Sequence, residues 1–220
     1  MDWLNFFVAD VRDGLGPYLA IYLLAVHHWR PDSIGLVMTI SGLAALAAQT
    51  PAGALVDRAS NKRALLIAAA VLVTGACMAL LANASFAWVT ITQALAGAAS
   101  SVFAPAIAGI TLGLTAANAF TRRIARNESY NHAGNAFAAL LAGGLAYLWG
   151  PVAVFYLMAA MALASVAAAS YLPAQIDLDR ARGLDPGTGG AADAQPIPLR
   201  QLLSHRSLLL LALSLSLIHI

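Results

Sequence analysis

Between two long apolar stretches the chain reads Gly53-Ala54-Leu55-Val56-Asp57-Arg58-Ala59-Ser60-Asn61-Lys62-Arg63. Four charges fall within the seven residues Asp57 to Arg63, and then they stop. No Asp, Glu, Lys, Arg or His occurs from Ala64 to Thr121, a run of 58 residues, or from Ala133 to Ile176, a run of 44. Each run holds two bilayer crossings of about 20 residues with a short turn between them. The composition agrees: 60% of the 220 residues are apolar and 10% are charged, where soluble chains carry about 25% charge. A water-soluble enzyme and a disordered chain are excluded. So is a nucleic-acid binder, because a net charge of +2 from 12 basic and 10 acidic residues forms no phosphate-binding surface. The single cysteine, Cys77, lies in apolar sequence without an intrachain partner and reads as a buried structural thiol.

Breaks in the apolar pattern divide the chain into six segments. The first runs from about Asn5 to Val26 and ends at His27-His28-Trp29-Arg30-Pro31-Asp32. The second runs from Ser33 to Val56, before the charged stretch quoted above. A third, Ala64 to Leu81, turns at Asn83-Ala84-Ser85 into a fourth, Phe86 to Ala117, where Pro105 predicts a kink. After the basic stretch Arg122 to Arg126, a fifth runs from about Ser129 to Leu148. Trp149-Gly150-Pro151 turns it into a sixth that ends near Leu172. The fold class expected is an all-α membrane protein with six transmembrane helices. The alternating ten-residue strands of a membrane barrel are absent from the sequence.

Basic residues are retained on the cytoplasmic side of short loops. With a cytoplasmic N-terminus, the inside loops carry ten of them: Arg58, Lys62, Arg63, Arg122, Arg123, Arg126, Arg180, Arg182, Arg200 and Arg206. Outside stands Arg30 alone. An integral protein of the plasma (inner) membrane, N-terminus inside, is the expectation. Residues 1–172 would form the transmembrane part and 173–205 a solvated linker, with four prolines, four glycines and four aspartates. Residues 206–220 open a further apolar run that stops after fourteen residues, Ser207 to Ile220. A crossing needs about 20, so a chain cut inside a seventh helix is expected.

Three helices, a turn, three helices and a long cytoplasmic linker form the layout of one half of a twelve-helix secondary transporter. The stretch Gly53 to Arg63 resembles the signature loop of the major facilitator superfamily: a glycine, three residues, the acid-base pair Asp57-Arg58, a small residue, and closing basic residues Lys62 and Arg63. Ser60 stands where the family usually has glycine. Trp29, Ser33, Ile34 and Gly35 are similar to the family's entry to its second helix. The resemblance implies two three-helix repeats, half of a major-facilitator-type fold. It also implies that Asp57 latches this half to the other, with Arg58 as its charge partner and Gly53 as a close-packing position. The alternative is that Asp57 to Arg63 is a solvated loop that only sets orientation.

Polar residues inside the apolar segments are the second signal. An ionised group near the bilayer centre costs about 3 kcal/mol or more, so such groups face water or one another. The first segment carries Asp10, Arg12 and Asp13, followed by Gly14, Gly16 and Pro17. A glycine-proline interruption frees backbone groups, and broken helices serve transporters as binding sites. The alternative places Asp10 to Asp13 at the interface, with Pro17 a simple kink. The fifth segment opens with Glu128, Asn131, His132 and Asn135, spaced i, i+3, i+4 and i+7 on one helical face. Such a stripe suits a polar substrate or a proton relay, or interhelical hydrogen bonding. Gln93 and Ser100 form a weaker polar face on the fourth segment.

No GxSxG, HExxH, clustered Cys/His or GxxxxGK motif occurs, so no enzyme, cofactor or metal is expected. The reading is a permease for a small solute, working by alternating access and open to proton coupling through Asp10, Asp13, Glu128 or His132. Its partners would be the lipid bilayer and a missing C-terminal half. The rival is a self-assembling six-helix channel or a non-transporting membrane scaffold.

Overall fold

Nothing between Thr121 and Ala133 can stop a helix: the stretch has neither glycine nor proline. In the structure, a computed structural model that describes residues 1–115, 117–173, 176 and 210, one helix accordingly runs from Ala117 to Trp149. The basic stretch Arg122 to Arg126 is therefore helical rather than a loop before a helix at Ser129. Charge ends a membrane span without ending the helix that carries it. At 1.5 Å per residue this helix is about 50 Å long, well beyond a hydrocarbon core of about 30 Å.

Among the described residues, the helices of Met1 to Pro173 are α1 (Asp2–Asp13), α2 (Pro17–Ala25), α3 (Pro31–Arg58), α4 (Lys62–Met78), α5 (Phe86–Ser100), α6 (Phe103–Leu114), α7 (Ala117–Trp149) and α8 (Ala153–Ser170). A 3-10 turn, Ala79–Leu81, closes α4. No strand occurs among the described residues. The described residues from Met1 to Pro173 belong to one compact unit, Met1–Gly183. Apart from Pro173, Ile176 and Leu210, the expected linker 173–205 and the run 206–220 lie outside the described residues.

Among the described residues, four helical stretches are long and apolar enough to cross a membrane: Pro31–Arg58, Lys62–Leu81, Phe86–Leu114 and Ala153–Ser170. The first segment divides into α1 and α2, each too short to cross alone. α7 is long enough but polar in its first half.

Local chemistry explains the ends. Pro31 occupies the first turn of α3, where its missing N–H is no loss, and Asp32 in that turn pairs with Arg30 at 3.1 Å. Asn61 caps α4 by accepting from the Ala64 amide at 2.9 Å. Between them only Ala59 to Asn61 is non-helical, so the charged stretch of the sequence is mostly two helix ends. The fourth segment is interrupted at Ser101–Val102, four residues before Pro105. The proline ring excludes the carbonyl at that distance and offers it no N–H.

The apolar core lies where α1, α4, α6 and α8 meet, with Leu4, Leu66, Phe103, Ile110, Phe155 and Met158 almost fully buried. Two contacts hold neighbouring helices unusually close. A Cβ on Gly97 would lie 2.6 Å from the Ser41 carbonyl oxygen, and one on Gly134 would overlap the Phe6 carbonyl. Small residues thus set the α3–α5 and α1–α7 spacings, as expected where helices pack without a hydrophobic driving force.

Candidate functional site: a cavity at an interrupted helix

The break between α1 and α2 is built from two glycines that no other residue could replace without strain. Gly14 has φ 60° and ψ −139°, Gly16 φ 47° and ψ −131°, conformations open to glycine because it lacks Cβ. The Gly14 amide still donates to Val11 and the Gly16 amide to Asp13, both at 3.2 Å. Pro17 then starts α2 at its first turn. Leu15, between the glycines, is buried, and its backbone amide hydrogen-bonds the Cys77 sulfur. Gly14 packs against the same sulfur, 3.8 Å from where its Cβ would stand.

Beside this break lies a cavity of about 360 Å³. Its floor is the interruption itself, Arg12 to Gly16; the walls are α3 with Ser41 and Gly42, α4 with Val73 and Cys77, and α5 with Gln93, Gly97 and Ser100. The walls are tied together. Ser41 Oγ donates to the Gln93 carbonyl at 2.8 Å, and Gln93 Nε2 reaches Cys77 Sγ at 4.0 Å. Gln93 is buried; Ser41 holds its backbone carbonyl, and its side-chain amide is directed at Cys77.

The residues singled out in the sequence separate into groups. Arg12, Asp13, Gly14, Gly16, Gln93 and Ser100 line one cavity. Asn135 of α7 joins them through an interaction of its side chain with Asp13. Asp10 is half-buried one turn before the break, and Pro17 is exposed. Glu128, Asn131 and His132 do not line the cavity: Glu128 and His132 are exposed on α7, and Asn131 Nδ2 donates to Glu128 Oε2 at 3.4 Å. Ser41 and Cys77 were not foreseen as cavity residues. Ser41 carried a weak signal, a hydroxyl beside Gly42 in the middle of an apolar segment, whereas Cys77 carried none beyond its burial.

The signature stretch is organised differently from a solvated loop. Lys62 is 1% exposed, and its Nζ donates to the Val56 carbonyl at 2.5 Å, placing a cation at the C-terminal carbonyls of α3. Arg63 Nη1 donates to the Leu172 carbonyl at 2.7 Å and more weakly to that of Ser170 at 3.4 Å, just beyond the end of α8. These two basic residues join three helix ends. Asp57 and Arg58 are exposed on the last turn of α3, and a Cβ at Gly53 would meet nothing within 4 Å of this chain.

Residues 3–220 match the sequence profile of the Major Facilitator Superfamily. The chain belongs to that superfamily. Over 201 residues it is also 55% identical to two uncharacterized MFS-type transporters of Mycobacterium tuberculosis, one each from strains CDC 1551 / Oshkosh and ATCC 25618 / H37Rv. Each alignment covers 91% of this chain and 47% of the relative, so the chain spans about half the length of the curated relatives it matches. Apolar helices and family together make this an integral membrane protein of the transporter superfamily.

Proposed function

We propose that the chain is the N-terminal half of a secondary transporter that moves a small solute by alternating access, with the cavity at the α1–α2 break as its share of the solute pathway. The observation that carries this reading is the convergence of Asp13, Arg12, Gln93 and two conformationally special glycines on one cavity inside an apolar bundle. A carboxylate and a guanidinium held there need water or a polar ligand. The break supplies oriented backbone groups as well, as interrupted helices do in transporters. In this reading the six spans are α1–α2, α3, α4, α5–α6, α7 and α8, as two repeats of three, with the N-terminus cytoplasmic. The exposed apolar residues of α3, among them Leu36, Leu43 and Leu46, would face the second half or lipid. Asp57 and Arg58, exposed on the last turn of α3, with Gly53 before them, form the inter-half latch that the signature stretch implies. Lys62 and Arg63 hold that end in place from within this half.

Asp13, with Asn135 and Asp10 near it, is the proposed proton-linked group. The test is transport by the complete protein, both halves, in proteoliposomes loaded with a pH dye and given candidate solutes. Asp13→Asn should abolish solute-driven proton movement while the exposed His132→Ala leaves it intact. Flux that ignores a proton gradient and survives Asp13→Asn ends the proton-coupling proposal. Flux by the 220-residue chain alone would favour the self-assembled channel.

A further inference from the structure

Where α1 and α7 begin and α8 finishes, a second cavity of about 600 Å³ is lined by Asp2, Trp3, Arg123, Arg126, Tyr130 and Tyr171. It shares no residue with the first cavity. Asp2 bridges the two arginines, with Oδ1 on Arg123 Nη2 and Oδ2 on Arg126 Nη2, the latter at 2.6 Å. Arg126 also lies over the Tyr130 ring, 5.7 Å from its centroid.

Two features separate this cluster from a closed structural ion pair. The first is a surplus of donors. Each guanidinium carries five N–H groups and no acceptor, and one carboxylate does not satisfy both. Arg123 Nε is buried and meets no acceptor among the described residues. The two guanidinium charges, with the Met1 ammonium beside them, also face a single carboxylate within the cluster. The second is openness. Arg126 is 57% exposed, beside an unfilled volume large enough for a headgroup-sized ligand. Trp3 and Tyr171, 64% and 90% exposed, stand at its rim. Amphipathic rings at the ends of spanning helices are characteristic of the membrane–water boundary. A basic pocket between helices at that depth suits an anionic headgroup.

We propose that this pocket binds a phosphate group, carried by an anionic phospholipid or by soluble phosphate, with Arg123 and Arg126 as its ligands and Asp2 as the carboxylate it displaces from them. Guanidinium is the side chain whose planar fork matches phosphate. Because phosphate and Asp2 compete for the same nitrogens, the two kinds of variant have opposite signs.

The full chain, purified in detergent and stripped of lipid, is titrated with phosphatidylglycerol, with phosphatidylcholine and with inorganic phosphate. Native mass spectrometry reads the lipid adducts, and the thermal midpoint reads phosphate. Phosphatidylglycerol should be retained in clear preference to phosphatidylcholine. Arg126→Gln, at an exposed position that leaves the core untouched, should weaken its binding about tenfold, the loss of one charge-assisted hydrogen bond. Asp2→Asn should strengthen it. Millimolar phosphate that raises the midpoint and chases the lipid assigns the site to soluble phosphate; lipid retained against phosphate assigns it to the headgroup. Equal retention of the two lipids with no response to phosphate overturns the proposal. So does anion binding that is unchanged in Arg126→Gln or weakened in Asp2→Asn, since both would make the cluster a structural clamp. None of these readouts depends on solute transport, so the result stands apart from the proposed function.

Discussion

The first and fourth apolar segments are both interrupted near their middles, yet the interruptions are of different kinds. Between α1 and α2 the chain passes through two positive-φ glycines, and polar residues gather around the gap. Between α5 and α6 the backbone stays right-handed at Ser101 and Val102. There the hydrogen bonds continue almost unbroken, with Val102 donating to Ala99 at 3.2 Å and Ala106 to Val102 at 3.1 Å. Phe103 and Ala106 beside this second break are fully buried. A proline bends a helix because one donor is missing and one ring is in the way. A pair of glycines in the mirror-image region ends one helix and starts another, which interrupts the helical hydrogen-bond ladder. The proline break shapes packing; the glycine break makes a site.

Substitutions can break this comparison in order of expected effect. Replacing both Gly14 and Gly16 by alanine should be most damaging, at about 1–3 kcal/mol for each strained residue. A fall of several degrees in the thermal midpoint of the detergent-solubilised chain would show it. Next is Gly97→Ala, where the new methyl meets the Ser41 backbone; overpacking of this kind costs about 1–3 kcal/mol and should loosen α3 from α5. Ser41→Ala removes only the hydrogen bond to the Gln93 carbonyl, and about 0.6 kcal/mol is the expected loss inside a membrane. Pro105→Ala should have the smallest effect, since the fourth segment already keeps most of its hydrogen bonds. If Pro105→Ala proved as harmful as the glycine pair, the distinction between the two breaks would fail.

Much of this was readable from residue types alone. Charge-free runs located the apolar segments, and Gly14, Gly16 and Pro17 announced the first break because only those residues tolerate or require such a backbone. Pro105 announced the second, although the interruption falls one turn earlier, at the carbonyl that its ring displaces. Other features depended on where distant segments meet. The stripe Glu128, Asn131, His132 and Asn135 is continuous on α7, but only Asn135 interacts with Asp13; the earlier residues share its face and lie about 4 to 10 Å nearer the start of the helix. The basic residues Lys62 and Arg63 read as the closing residues of the latch loop or, in the alternative, as solvated topology markers. Their role at the ends of α3 and α8 required knowing that the carbonyls of Val56 and Leu172 lie within reach. Charge counting locates a membrane surface; it does not say which helix end a cation will satisfy.

The central claim is that water reaches the α1–α2 break from a cavity walled by α3, α4 and α5, while the outer face of α8 meets lipid. Substituted-cysteine accessibility tests it directly, in a Cys77→Ser background and with a membrane-impermeant maleimide applied to opened membranes. Ala45→Cys and Ser100→Cys, which line the cavity, should be modified rapidly, and Leu163→Cys, 73% exposed on α8, should resist. Cavity positions as unreactive as Leu163→Cys would contradict the account.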